Sequence, residues 1–111
     1  MTLKLKKYKD IYVIDLEGEL DLYNAYKLKT LYQKMTEKGI QSIVINFENL
    51  DYLDSSGLGS LIYLSLDAKS NNRNLILCNL SSTPKKLIEM TRLENFFSIE
   101  KTIEDCIEKL Q

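Results

Sequence analysis

The amino-acid sequence predicts an α/β sandwich with a mostly parallel sheet of four or five strands and helices packed on it. Segments with the periodicity of a strand alternate with segments with the periodicity of a helix, in the order β-β-α-β-α-β-α-β-α. After the first two strands, this alternation implies right-handed crossovers, which make the strands parallel. No Pro-, Gly- or Ser-rich stretch divides the 111 residues, so we expect a single domain that spans residues 1–111.

The first part of the chain predicts a β-hairpin followed by a helix. Apolar and polar residues alternate at residues 3–5 and again at residues 12–16, on either side of the polar pair Lys9 and Asp10. The second strand ends at residues 18–21, GELD, and apolar residues then recur at helical spacing as far as Gly39. We therefore expect the first helix at residues 22–38.

The middle of the chain predicts a central strand and a largely buried helix. Residues 43–47, IVINF, form a short β-branched run, which is typical of a strand buried on both faces. Residues 48–54 are expected to form a loop. In the helix that follows, Leu58, Leu61, Ile62 and Ser65 lie on one face, and Leu64, Leu66 and Ala68 widen it.

The last part of the chain predicts two more strands and two more helices. A strand is expected at residues 75–79, and residues 81–83, SST, offer N-caps for a helix that begins with Pro84 and ends near residue 91. Residues 96–100 suit an edge strand. Thr102 and Asp105 have the spacing of a capping box in front of a final helix that covers one side of the sheet.

Composition argues against several classes of function. Fifteen basic and sixteen acidic residues leave a formal charge of −1, which gives no electrostatic footprint for direct binding of nucleic acid or an anionic membrane. The chain has no histidine, which removes Ser-His-Asp and Cys-His nucleophiles and His-containing zinc sites. We therefore expect no metal and no other cofactor.

Two further features bear on compartment and core. Cys78 and Cys106 occupy apolar positions, so we expect small core residues and not a disulfide framework. The first residues lack the apolar region of a signal peptide, and no run of eighteen apolar residues occurs. These features predict a cytoplasmic protein.

The segment with the most functional information is DSSGLG, at residues 54–59. It lies where a buried strand gives way to a helix, at the sheet edge where open α/β folds bind ligands. On chemistry alone, Asp54 or Ser55 is most simply a helix cap. Glycine at both 57 and 59 would cost about 2 kcal/mol in helix propensity, which close approach of another backbone, a partner protein or a positive φ would explain.

These residues resemble the STAS domains of the anti-sigma factor antagonist family. The resemblance rests on LDSSGLG at residues 53–59, preceded by GELD at 18–21 and IVINF at 43–47, and covers nearly the whole chain. It implies that Ser55 is phosphorylated by a serine kinase that is also an anti-sigma factor. It also implies that Asp21, the acidic residue after the second strand, lies near the phosphoserine; on chemistry alone, Asp21 could equally cap the first helix.

The resemblance implies a partner-switching cycle. The unphosphorylated protein would bind the anti-sigma factor kinase and free a sigma factor, phosphorylation of Ser55 would end that complex, and a serine phosphatase would reset the protein. A phosphate brings about −1.5 to −2 charges, enough to disturb a protein interface. The residues expected to bind the partner are Asp21, Asp54, Ser56, Gly57, Leu58 and Gly59.

A second hypothesis keeps the fold and changes the partner. A STAS-type domain can be a scaffold or a regulator of a target other than a sigma factor. The chain has seven tyrosines, and some of them, such as Tyr23, Tyr26 and Tyr63, would suit an interface, whereas others must pack in the core.

Two more hypotheses change the class of protein. A small nucleotide-binding α/β protein would use the glycines after the central strand, but the sequence has neither phosphate-loop motif, and Ile62 stands where the dinucleotide fingerprint has its third glycine. An enzyme with Ser55 or Ser56 as nucleophile would lack both the Gly-x-Ser-x-Gly motif and a histidine base. We therefore expect no enzymatic activity.

Overall fold

A computed structural model describes residues 1–80 and 82–111 and confirms the predicted fold class and order of elements. The strands are β1 (Thr2–Tyr8), β2 (Ile11–Leu20), β3 (Ser42–Leu53), β4 (Asn74–Cys78) and β5 (Ser98–Glu100). The helices are α1 (Ala25–Glu37), α2 (Ser55–Ser70), α3 (Ser82–Met90) and α4 (Ile103–Leu110).

The five strands form one sheet in the order β1-β2-β3-β4-β5. β1 is antiparallel to β2, as in the predicted hairpin, and every other neighbouring pair is parallel. β3 is the central strand, and all of residues 43–47 are buried. The β-branched run in the sequence therefore predicted the strand that is covered on both faces.

Helices cover both faces of the sheet and enclose two cores. The larger core includes Leu28 of α1, Leu61 of α2 and Ile88 of α3. The smaller core lies on the opposite face against α4 and contains Cys78 and Cys106. Both cysteines are buried and free, which confirms that they are small core residues. Among the described residues, none of the helices combines the length and the apolar character needed to cross a membrane.

The predicted loop at residues 48–54 is wrong, because β3 continues to Leu53. The additional residues pair with the end of β2, from Glu17 opposite Asn49 to Leu20 opposite Leu53. Two irregularities of register interrupt this pairing, and they break the simple alternation of buried and exposed residues. As a result, the ends of β2 and β3 lie side by side, and the segments that follow them meet at one place.

The other differences concern the ends of elements. α1 begins at Ala25 and not near residue 22, because residues 21–24 form a turn. β5 begins at Ser98 and not at residue 96, because the N–H groups of residues 96 and 97 donate to the carbonyl of Leu93 in a turn. α3 begins at Ser82, two residues before Pro84, and the proposed N-cap Ser81 lies outside the described residues. Thr102 caps α4 as predicted, accepting from the N–H of Asp105 at 3.1 Å.

A row of polar side chains crosses the sheet on the side of the smaller core. Nζ of Lys6 in β1 lies 3.0 Å from Oδ2 of Asp15 in β2, whose Oδ1 accepts from Nδ2 of Asn46 at 2.8 Å. Oδ1 of Asn46 accepts in turn from Nδ2 of Asn79 at 2.8 Å and from the N–H of Glu48 at 3.2 Å. Asp15 and Asn46 are both buried, so Asn46 satisfies polar groups from three strands or their ends.

Candidate functional site

Asp54 caps helix α2. Its backbone is extended, and its Oδ1 accepts a hydrogen bond from the N–H of Gly57 at 2.8 Å. The sequence pattern allowed either Asp54 or Ser55 as the cap, and the structure assigns this role to Asp54. Ser55 is then the first residue of the helix, and its side chain is exposed to solvent.

The carboxylate of Asp54 also links two loops. Its Oδ2 accepts from the N–H of Leu22, in the turn between β2 and α1, at 3.3 Å. The N–H of Asp54 donates to the carbonyl of Leu20 at 3.3 Å. Both carboxylate oxygens of Asp54 therefore hold the backbone of the site in place, and this side chain fixes the turn after β2 against the beginning of α2.

Asp21 lies in that same turn. Its Oδ1 accepts from the N–H of Tyr23 at 2.9 Å, and its carbonyl accepts from the N–H groups of Asn24 and Ala25. Asn24 stabilises the turn from its other side, because its Oδ1 accepts from the N–H of Asp21 and its Nδ2 donates to the carbonyl of Glu19. The N-cap position of α1 belongs to Asn24, so Asp21 closes the turn before the helix and does not cap the helix with its side chain.

The two glycines of α2 have different roles. A Cβ on Gly57 would lie 2.5 Å from the carbonyl oxygen of Leu20 and 2.7 Å from Cδ1 of Leu53, so Gly57 is required for close approach within the protein. A Cβ on Gly59 would meet no atom within 4 Å. A positive φ does not explain the presence of glycine at position 57 or 59, because the glycines with positive φ are Gly18 and Gly39.

Burial divides the predicted phosphorylation site and the residues predicted to bind a partner into two groups. Ser55, Ser56 and Gly59 are exposed, and Asp21 and Asp54 are half-buried. We call these five residues, in the turn after β2 and at the beginning of α2, the serine corner. Gly57 and Leu58 are buried beneath it, so they shape the corner without offering a surface of their own.

Comparison with known protein families covers most of the chain. A family model described as STAS domain matches residues 2–106. The chain belongs to the STAS domain family. The resemblance drawn from residues 53–59 and the two motifs before them is thereby confirmed.

Relatives of this STAS domain, and solved structures similar to it, match nearly its whole length. The chain is 27% identical over 104 residues to the anti-sigma-B factor antagonist of Staphylococcus epidermidis, covering 94% of this chain and 96% of that protein. An anti-sigma factor antagonist from Mycobacterium paratuberculosis, 18% identical, has the same fold, with a TM-score of 0.88 over 97% of this chain and 92% of that one. The Bacillus cell fate determinant SpoIIAA in its phosphorylated form is 26% identical, with a TM-score of 0.76 over 99% of this chain and 100% of that one.

Tyrosines lie both beside the serine corner and in the core of the STAS domain. Tyr23, Tyr26 and Tyr63 are exposed, Tyr23 to 83%. Tyr32, in contrast, is buried, and its hydroxyl donates to Oδ2 of Asp67 at 2.9 Å. Burial, together with this hydrogen bond to a carboxylate, raises the pKa of the Tyr32 hydroxyl well above its usual range. The expectation that some tyrosines face solvent and others pack in the core is confirmed.

Replacement of Asp54 tests the role of its carboxylate in the serine corner. We expect Asp54→Ala to lower the free energy of unfolding by about 1–2 kcal/mol, because it removes the cap of α2 and leaves the N–H of Leu22 without its acceptor. Urea denaturation followed by circular dichroism measures this loss. Asp51→Ala, at an exposed position of β3, is the matched control and should change stability by less than about 0.5 kcal/mol. Equal losses in the two variants would contradict the assignment.

Proposed function

We propose that this STAS domain is a cytoplasmic anti-sigma factor antagonist that is switched off by phosphorylation of Ser55. In its unphosphorylated form it binds an anti-sigma factor that is also a serine kinase, and a sigma factor is released. A serine phosphatase restores the binding form. The chain itself carries no catalytic activity in this cycle and takes no cofactor.

The observation that carries this proposal is the position of Ser55. Ser55 is the exposed first residue of α2. The neighbouring Asp54 supplies the helix cap, a role that the sequence pattern also allowed for Ser55. The hydroxyl is therefore accessible to a kinase without loss of the helix cap. The relatives named as anti-sigma factor antagonists, and the solved phosphorylated form of SpoIIAA, support the same function.

Electrostatics explains how a phosphate at Ser55 would act. It would place about −1.5 to −2 charges beside Asp54, with Asp21 in the adjoining turn. The N-terminus of α2 offsets part of this charge, by about 0.3–1 kcal/mol, so the fold tolerates the modification. A partner docked on the corner has no such compensation, and uncompensated charge at an interface costs several kcal/mol, with each ~1.4 kcal/mol equal to a tenfold loss of affinity.

The proposal assigns partner contacts to the serine corner. The residues in direct contact with the anti-sigma factor are Asp21, Asp54, Ser56 and Gly59. Gly57 and Leu58 are buried and shape the corner from beneath. Gly59 has no side chain, and a Cβ built on it would meet no atom of the protein within 4 Å. This open space leaves room for the partner to approach the helix.

Mapping the phosphate tests the switch. The kinase partner is copurified with the tagged chain from its source cell, purified, and incubated with the chain and ATP. We expect mass spectrometry of the peptides to place one phosphate on Ser55, to find none in Ser55→Ala, and to find it retained in Ser56→Ala. Phosphate on Ser56 alone would refute the site.

Binding measurements test the consequence of the modification. We expect Ser55→Ala to bind the kinase constitutively and Ser55→Asp to bind at least about tenfold more weakly. Isothermal titration calorimetry measures both affinities, and circular dichroism verifies that the variants are folded. A folded Ser55→Ala variant that does not bind would count against the mechanism.

A further inference from the structure

An exposed apolar surface extends from the serine corner along α1 and α2. On α2, Gly59, Tyr63 and Leu66 follow Ser55 at helical spacing and lie on the same side of the helix. The sequence pattern places Leu66 on the widened buried face of α2, yet it is 51% exposed. The sequence pattern predicted burial because Leu66 is apolar, whereas the helix turns this position away from the sheet.

The turn after β2 and the beginning of α1 continue this surface. Leu22 is 65% exposed and Tyr26 is 62% exposed, and Tyr23 is exposed even further. Lys29 follows Tyr26 by three residues and lies on the same side of α1. Its Nζ lies 4.2 Å from the centroid of the Tyr63 ring on α2. This contact joins the two helices at the surface, so that their exposed side chains form one region. We call this region the α1–α2 face and define it as Leu22, Tyr23, Tyr26, Gly59, Tyr63 and Leu66.

Within residues 22–36 and 55–66, the helix segments that carry most of the α1–α2 face, the charged residues have one sign. Residues 55–66 contain no charged residue, and residues 22–36 contain three lysines and no acidic residue. The serine corner at the end of this face is acidic instead, through Asp21 and Asp54. A surface that fits this pattern is apolar where it meets the tyrosines and carries carboxylates where it meets the lysines of α1.

The serine corner is too small to hold a protein partner alone. A stable protein complex buries about 800 Å² on each partner, whereas the exposed residues at the start of α2 are two serines and a glycine. Tyrosines and large apolar side chains in the centre of an interface contribute most of its binding energy. The α1–α2 face supplies side chains of this kind, directly continuous with the corner.

We propose that the α1–α2 face is the main docking surface for the protein partner that the serine corner regulates. This inference rests on the function proposed above and adds where the affinity comes from. The partner presents an apolar patch rimmed with carboxylates. Contacts on the face contribute binding energy that does not depend on phosphorylation. Phosphorylation at the corner adds negative charge that opposes binding.

A pair of leucine variants tests the face. Leu66→Glu and Leu5→Glu introduce the same charge at leucines that are 51% and 48% exposed, but Leu5 lies on strand β1, outside the face. We measure the affinity of the purified kinase partner for each unphosphorylated variant by calorimetry, after circular dichroism has verified the fold. We expect Leu66→Glu to weaken binding at least tenfold and Leu5→Glu to change it less than twofold. Leu66→Lys should weaken binding less than Leu66→Glu, because the partner's rim is acidic.

The outcomes separate this inference from the proposed function. If wild type and both glutamate variants bind equally well, the face is overturned while the antagonist function stands. If the wild type does not bind, both fail together. Sedimentation of the isolated chain covers a third outcome: a dimer that Leu66→Glu dissociates would assign the face to a second copy of this chain and overturn the proposal.

Discussion

Gly57→Ala is expected to lower the free energy of unfolding by about 2 kcal/mol or more. The added Cβ would lie 2.5 Å from the carbonyl oxygen of Leu20, and this oxygen belongs to the backbone of β2 and cannot rotate away. Overpacking of this kind costs about 1–3 kcal/mol even after neighbouring groups shift, and more when the neighbour is rigid. Because the gain in helix propensity is only about 1 kcal/mol, the steric effect decides the sign. Urea denaturation followed by circular dichroism measures the change.

Gly59→Ala is the matched control, and it should have the opposite effect. The two glycines are two residues apart in the same helix, but a Cβ on Gly59 would have open space around it. We expect this variant to gain up to about 1 kcal/mol of stability from the higher helix propensity of alanine. A Gly57→Ala variant as stable as Gly59→Ala would contradict the close approach between α2 and β2.

The second large effect is expected for Asn46→Ala. The amide of Asn46 donates to the buried Asp15 and accepts from Asn79 and from the N–H of Glu48. Its removal would leave a buried carboxylate oxygen without this donor and two donors without their acceptor. A buried polar group that loses its partner costs about 1–3 kcal/mol. Asp15 is buried and the other two hydrogen bonds are part-buried, so we expect a total loss of about 3 kcal/mol in thermal or urea denaturation.

Asn49→Ala supplies the comparison for Asn46→Ala. Asn49 lies in the same strand, three residues further on, and its side chain is exposed. We expect a change of less than about 0.5 kcal/mol for this variant. Similar losses at the two positions would show that a general disturbance of β3, and not the buried polar row, determines the stability.

The order of elements could be predicted because each signal is local. Residues 43–45 are β-branched and apolar whatever the rest of the chain does, and Thr102 caps α4 through the N–H group three residues later. The extension of β3 could not be predicted in this way. Its buried Leu50 and Leu53 are three residues apart, because register irregularities in the pairing with β2 interrupt the period of two. A strand with this spacing has the sequence pattern of a loop.

The same distinction applies to the serine corner. A cap at Asp54 or Ser55 could be predicted, since residue type and position at a helix start are sufficient. The hydrogen bond from the N–H of Leu22 to Asp54 could not, because it joins residues 32 positions apart and depends on the pairing of β2 with β3. Asn24 was also missed, although an asparagine directly before a helix is a signal that the sequence does contain.

The serine corner stands on the paired ends of two strands, and hydrogen bonds within its own turn and to Asp54 hold it there. A segment held by these hydrogen bonds has little freedom to adopt a second conformation. Under the proposed cycle, the chain would therefore record its regulatory state in one phosphoester bond and not in a second conformation. A covalent phosphoester survives denaturation, so a phosphorylated chain that is unfolded and refolded is still unable to bind its partner. Only hydrolysis of the phosphoester restores the binding form.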